Sequence, residues 1–310
     1  MSEHHHTHDH FADAPLSVRR NLVFAVGLTF LVLVGEVIGG LWAGSLALLS
    51  DAAHVLTDLI SLALSLGAVL LATRPVSKER TFGWHRAEVF AALVNGVLLL
   101  LIAIGLLVEA YHRVLAPAPV RVVGMLAIAA AGLMANGAIA LRLRGHSQDL
   151  NLHSAYLHVL ADLGGSVGVV VAALIMLPTG WFIVDPILSG LIALAVLVGS
   201  IRLLRDTGHI LLEGVPREVD LGAVAEAVRT VPLVQGIHDL HIWTICSNLL
   251  ALSVHVTVGD CPGSDRDRVV EEITHRLGER FGIGETTVQV ESGPCRTEDL
   301  IHIVPHRYEA

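Results

Sequence analysis

His54 and Asp58 stand four residues apart in "SDAAHVLTD", Ser50–Asp58, inside a run otherwise made of Leu, Ala, Ile, Val and Gly. His158 and Asp162 repeat that spacing in "YLHVLAD", in a second apolar run further along the chain. The interval places both members of a pair on one helix face, roughly 6 Å apart along the axis. A charged group at mid-bilayer costs about 2.5–3.5 kcal/mol on insertion scales, so an ionisable residue there needs a partner or a task. A single buried His is more often a satisfied core residue than a ligand. Two matched pairs at similar depth are poorly explained in that way.

If the two segments are antiparallel, His54 lies level with Asp162 and Asp58 level with His158. Two imidazoles and two carboxylates then surround one point, a nitrogen and oxygen set that suits tetrahedral Zn²⁺. The absence of thiolates argues against Cu(I), and the imidazoles argue against an all-oxygen Mg²⁺ or Ca²⁺ site. Asp51 falls one turn before His54 on nearly the same face. Two roles stay open for it: orienting His54 from behind, or lining a wet outer vestibule.

The elements that must hold these residues are membrane helices. The 310-residue chain is 53% hydrophobic and only 16% charged, with a mean hydropathy of +0.66, whereas soluble domains sit near 25% charged. A crossing helix needs about 20 apolar residues. Six stretches qualify: Asn21–Trp42, Ser45–Thr73, Ala87–Arg113, Val120–Leu143, Leu150–Leu177 and Trp181–Leu204. Arg19, Arg20, Arg74, Lys78, Arg80, Arg86, Arg142, Arg144, Arg202 and Arg205 fall on one side, against Arg113 and Arg121 on the other. The basic side is cytoplasmic, which puts both termini inside and the chain in the cell (inner or plasma) membrane as a multi-pass protein. The polar start, MSEHHHTHDH, does not read as a signal peptide.

After Arg205 charges become frequent and short soluble elements alternate. Asp220–Val231 reads as a helix, "GIHDLHIWTI" and "LLALSVHVTVG" as a strand pair, Ser264–Phe281 as a helix and "TTVQVES" as a last strand. This order, α-β-β-α-β, is a ferredoxin-like α+β layer with helices on one sheet face. The expected organisation is a His-rich tail at 1–17, a six-helix transmembrane bundle at 18–205, the α+β domain at 206–295 and a loose tail at 296–310. Cys246, Cys261 and Cys295 are widely spaced and odd in number, so they read as reduced thiols. No basic stripe with interleaved aromatics marks a nucleic-acid partner.

On "SLALLSDAAHVLTD", "FGWHRAEVFAALVNG", "LHVLADLGGSVGVV", "DPILSGLIA" and "HDLHIW" the sequence resembles the cation diffusion facilitator family, in its zinc-transporting branch. The resemblance implies a homodimeric metal/proton antiporter that exports Zn²⁺, with Cd²⁺ and Co²⁺ as further cargo, and a cytoplasmic domain shaped like a metallochaperone. It places the transport ligands on His54, Asp58, His158 and Asp162. It also implies a cytoplasmic metal site at His238, His255 and Glu291, with Gln289 where a His can occur. Some relatives carry a further site in the loop between the second and third helices. Here "ERTFGWHRAE" puts Arg80 and Trp84 at those positions, so that site is expected to be missing, and His85, out of register, reads as a surface residue. No resident cofactor is implied; zinc is cargo and a candidate structural or regulatory ion.

Other polar groups have plainer expectations. The tract His4, His5, His6, His8 and His10 is a weak metal binder or a solvated tag. His153 marks an intake path or an interfacial position. Glu36, Asn95 and Asn136 are expected to bond between helices, and Asp185, before Pro186, to cap the sixth span. Two rival functions use the same metal. An intramembrane metalloenzyme would keep three protein ligands, a water and a general base, whereas four ligands close this site and no HExxH is present. A membrane metal sensor would need an output domain, and no kinase, cyclase or DNA-binding signature is visible.

Overall fold

In lipid a backbone must satisfy its own polar groups, so long apolar sequence folds as helix. The computed structural model describes residues 16–72, 77–143, 150–246, 249–259, 262–292 and 300. Its long helices are α1 (Leu16–Ala43), α2 (Leu46–Ala72), α3 (Arg86–Leu115), α4 (Val122–Leu143), α5 (Leu150–Thr179) and α6 (Val184–Leu211). Among the described residues, α1, α3, α4, α5 and α6 contain segments long and apolar enough to cross a membrane. Part of the side chains of α2, the helix with Asp51, His54 and Asp58, lies outside the described residues. Helix α6 continues to Leu211, past the expected end at Leu204.

The helical unit is apolar outside and buries several polar groups among apolar ones. Leu41, Leu101, Val123, Met134 and Leu191 are well over half exposed, while Ser45, Ser50, Asp185 and Ser189 are fully buried. Small residues let the helices approach, as packing in lipid requires: Ala43, Ala47, Ala129, Ala172 and Ala173 form a cluster with Leu48, Met125 and Met176. Asn136 Nδ2 donates to Ser166 Oγ at 3.3 Å, tying α4 to α5.

Asp185 departs from expectation. Its carboxylate accepts from Ser45 Oγ at 2.6 Å, from the Leu46 N–H at 2.7 Å and from the Ala47 N–H at 3.2 Å. It therefore caps α2 rather than its own helix. The N-terminal N–H groups of a helix have no partner within it, and here a neighbouring helix supplies one. Ser50 Oγ and Ser189 Oγ, 2.5 Å apart, repeat the α2–α6 tie one turn further on. Glu36, expected to bond between helices, is buried with its Oε2 lacking a hydrogen-bond partner among the described residues, and its Oε1 faces Gly132 on α4.

Ser65–Leu93 and the chain from Leu203 onward form a second compact unit. Its elements beyond α6 are α7 (Leu221–Arg229), β1 (Val234–Cys246), β2 (Leu249–Val258), α8 (Gly263–Phe281) and β3 (Ile283–Ser292). The sheet order is β1-β2-β3, with β1 and β2 antiparallel and β2 and β3 parallel. Asp220 begins α7 by accepting from the N–H groups of Gly222 and Ala223, and Gly282, at φ 67°, ends α8 in the left-handed conformation that glycine tolerates best. Val224 and Val228 of α7 and Ile273 and Leu277 of α8 bury one sheet face, meeting Ile237, Leu252, Val254 and Val256. Leu300, in the stretch expected to be loose, accepts from the Leu240 N–H at 3.0 Å and packs on this core.

Candidate metal centres

The first centre lies where α2 meets α5. His54 Nε2 is 3.6 Å from Asp162 Oδ1 and 3.9 Å from Asp58 Oδ2, and the three ligand atoms lie within 4.8 Å of one another. Donors bound to one tetrahedral zinc at about 2.0–2.1 Å stand about 3.3 Å apart, so both His54 contacts must shorten for this set to reach bonding distance. His158 belongs to α5, but its side chain, like that of His153, lies outside the described residues, as does the tract His4–His10.

Asp51 is buried, and among the described residues no hydrogen bond joins it to His54. Its carboxylate rests on α5 instead: a Cβ on Gly165 would sit 2.9 Å from Asp51 Oδ1. Gly165 is three residues beyond Asp162, on the same helix face. The glycine thus lets Asp51 approach the backbone one turn from a candidate ligand. Asp51 and His54 also line a cavity of about 320 Å³, walled by α2, Leu99 of α3, Gly165 and the α6 stretch from Ile192 to Ser200. That α6 wall covers about two helical turns, so the cavity extends along the membrane depth beside His54.

The second centre is on the sheet. His238 and His255 are partners across β1 and β2, their rings edge to face at 5.1 Å. Glu291 of β3 spans both, with Oε2 3.4 Å from His238 Nε2 and Oε1 3.1 Å from His255 Nδ1. Gln289 pairs with His255 in the parallel register and donates from Nε2 to Glu291 Oε1 at 2.8 Å. An amide thus holds the carboxylate of the candidate ligand Glu291 in place. Sequence reasoning missed Asp239, whose carboxylate joins His238 and His255 in a group of ligand atoms within 4.8 Å. Strict alternation would turn Asp239 away from His238.

In the loop before α3, Arg80 stacks over the Trp84 ring at 3.7 Å. His85 is not the free surface residue expected: it is half-buried, with Nδ1 3.7 Å from Cys246 Sγ. Cys261 and Cys295 lie outside the described residues.

Residues 22–212 match the cation efflux transmembrane domain, and residues 216–293 match the cytoplasmic domain of cation efflux proteins. The chain belongs to the cation efflux, or cation diffusion facilitator, family. It is 43% identical over 296 residues to the metal cation efflux system protein CzcD of Cupriavidus metallidurans, covering 95% of this chain and 92% of that protein. It is 40% identical over 300 residues to the zinc transporter ZitB of Escherichia coli, covering 96% of this chain and 94% of that protein. It is 39% identical over 286 residues to a Bacillus subtilis protein named as a cadmium, cobalt and zinc/H(+)-K(+) antiporter, covering 90% and 92%. A helical membrane region followed by a cytoplasmic domain with a small sheet is the plan of this family member.

Proposed function

We infer that this chain is a zinc efflux transporter, exporting Zn²⁺ from the cytoplasm in exchange for protons, with Cd²⁺ and Co²⁺ as further cargo. The carrying observation is the meeting of His54, Asp58 and Asp162 from two helices inside an apolar bundle. His158, one turn before Asp162 on α5, is the fourth ligand in this reading. Zinc binds neutral imidazole and ionised carboxylate, so loading displaces the protons those groups hold. In the empty site, ionised aspartates facing each other in lipid are costly, and protons returning from the other side neutralise them. The Zn²⁺-loaded and proton-loaded forms are thus the two that cross readily.

Several finer features belong to this reading. Helix α2 is the sixth crossing segment, both termini are cytoplasmic and the membrane is the cell membrane. The α+β unit is ferredoxin-like and metallochaperone-like, and it joins two chains as a homodimer. Zinc held by His238, His255 and Glu291 draws the two cytoplasmic domains together. Asp51 acts on the transport site by lining its cavity.

The test is uptake of Zn²⁺, Cd²⁺, Co²⁺ and Mn²⁺ by proteoliposomes holding the purified protein alone. Zinc flux is expected, with protons moving the opposite way. Zinc binding without flux would leave a sensor or an enzyme instead.

A further inference from the structure

We infer that Asp239 is the fourth ligand of the cytoplasmic zinc site, so that one chain closes the site by itself. The inference rests on the proposal that His238, His255 and Glu291 take up zinc there.

The backbone is built to present this residue. Asp239 has φ 48°, one of three non-glycine residues in the described chain with positive φ. The β1–β2 pairing shifts register between His238 and His241 at the same place. A bulge of this kind re-aims a side chain and tolerates Asp in the left-handed region better than most residues. Its result is that neighbours in sequence face one centre: Asp239 Oδ2 comes to 3.8 Å from His255 Nδ1. The ligand atoms within 4.8 Å of one another are those of His238, Asp239 and His255; Glu291 reaches the two imidazoles through different oxygens, at 3.4 Å and 3.1 Å, so its carboxylate must turn to complete a tetrahedral set.

The chemistry agrees. The other carboxylate oxygen, Asp239 Oδ1, is buried with no hydrogen-bond partner among the described residues, an arrangement that natural structures rarely leave without a reason. Three protein ligands would leave an open position, as catalytic zinc sites do; four close it, as in structural and regulatory sites. Two neutral imidazoles and two carboxylates also balance the charge of Zn²⁺. A zinc-poor cytoplasm would leave the two carboxylates repelling each other across the sheet, so occupancy changes the local charge of this domain.

The experiment uses the full-length protein in detergent with His54→Ala and Asp162→Ala to silence the membrane site. Zinc affinity is read by competition with a chromophoric chelator, and the donor set by the positions of the visible d–d bands of bound Co²⁺, which shift when one donor is exchanged for another. His238→Ala, measured alongside, gives the residual uptake of the rest of the chain, the N-terminal His tract included. The parent should bind one zinc per chain above that background. Asp239→Asn, which keeps the left-handed backbone, and Asp239→Gly, which relaxes it, should both weaken zinc by more than the roughly 10–100-fold lost with a group behind a ligand, and shift the Co²⁺ bands as a water oxygen replaces the carboxylate. Unchanged affinity and spectrum in both variants, or tighter binding in Asp239→Gly, would overturn the assignment while leaving the three-ligand site intact. A parent that binds no more than His238→Ala would remove the site itself.

Discussion

His54 Nε2 on α2 stands closer to Asp162 Oδ1 on α5, at 3.6 Å, than to Asp58 Oδ2 on its own helix, at 3.9 Å. The tighter contact therefore crosses between helices. A site of this kind responds to small relative movements of its helices, because a shift that lengthens the crossed contact opens the set on one side. Such sensitivity is what a carrier needs, since it must bind cargo from one face and release it to the other.

Alanine at His54, Asp58, His158 or Asp162 should each lower zinc transport by more than the roughly 10–100-fold lost with a group behind a ligand, while leaving a monodisperse protein in detergent. Proteoliposome flux and size-exclusion profiles measured together check this. Any one variant that carries zinc at the parental rate is not a ligand.

Gly165→Ala should act through Asp51, because the new Cβ would meet its Oδ1 at 2.9 Å and push the carboxylate off α5. The expected effect is a loss of zinc affinity of about 10–100-fold, the range for groups acting behind a ligand. Asp51→Asn should show a loss of the same order, and the double variant should be little worse than either alone. Additive losses would mean that Gly165 and Asp51 act separately.

Asp185→Ala strips the cap from α2 and leaves the N–H groups of Leu46 and Ala47 buried without their acceptor. Loss of a capping side chain costs about 0.5–2 kcal/mol, and each buried orphan donor about 1–3 kcal/mol. Thermal unfolding in detergent should show a destabilisation of several degrees or more, with Asp185→Asn milder because its amide oxygen still accepts. An unchanged melting temperature for the alanine variant would place the α2 start elsewhere.

What could be read from the sequence follows from the range of each signal. The HxxxD pairs are legible because a helix maps a four-residue interval onto one face, and hydropathy alone says where helices run. The strands around His238 and His255 are equally local, since both lie in runs of β-branched and aromatic residues. Asp185 was misassigned because Asp-Pro is a local helix-start signal, while its actual acceptor role depends on α6 lying against α2. Asp239 was invisible because period-two alternation assigns it the face opposite His238, and only the bulge reverses that. Likewise, nothing local to His85 foretells Cys246, which reaches it from the end of β1.

Proton coupling at the transport site has a definite sign. Zinc requires neutral imidazole and ionised carboxylate, so lowering the pH on either face weakens binding on that face. Each site histidine must lose its proton before it binds zinc, so the histidines take part in that competition. Zinc should therefore be released on the more acidic side and accumulate there as protons leave it. Proteoliposomes with an acidic lumen and clamped voltage should take up zinc against its gradient, and nigericin should abolish the accumulation by collapsing the pH difference. Replacing both His54 and His158 with Asp should change the pH dependence of flux, because no imidazole proton then competes with zinc at the site. It should also shift preference away from zinc toward cations that accept an all-oxygen set. Zinc flux indifferent to the pH gradient in the parental protein would mark a passive conduit, and the antiport mechanism would fall with it.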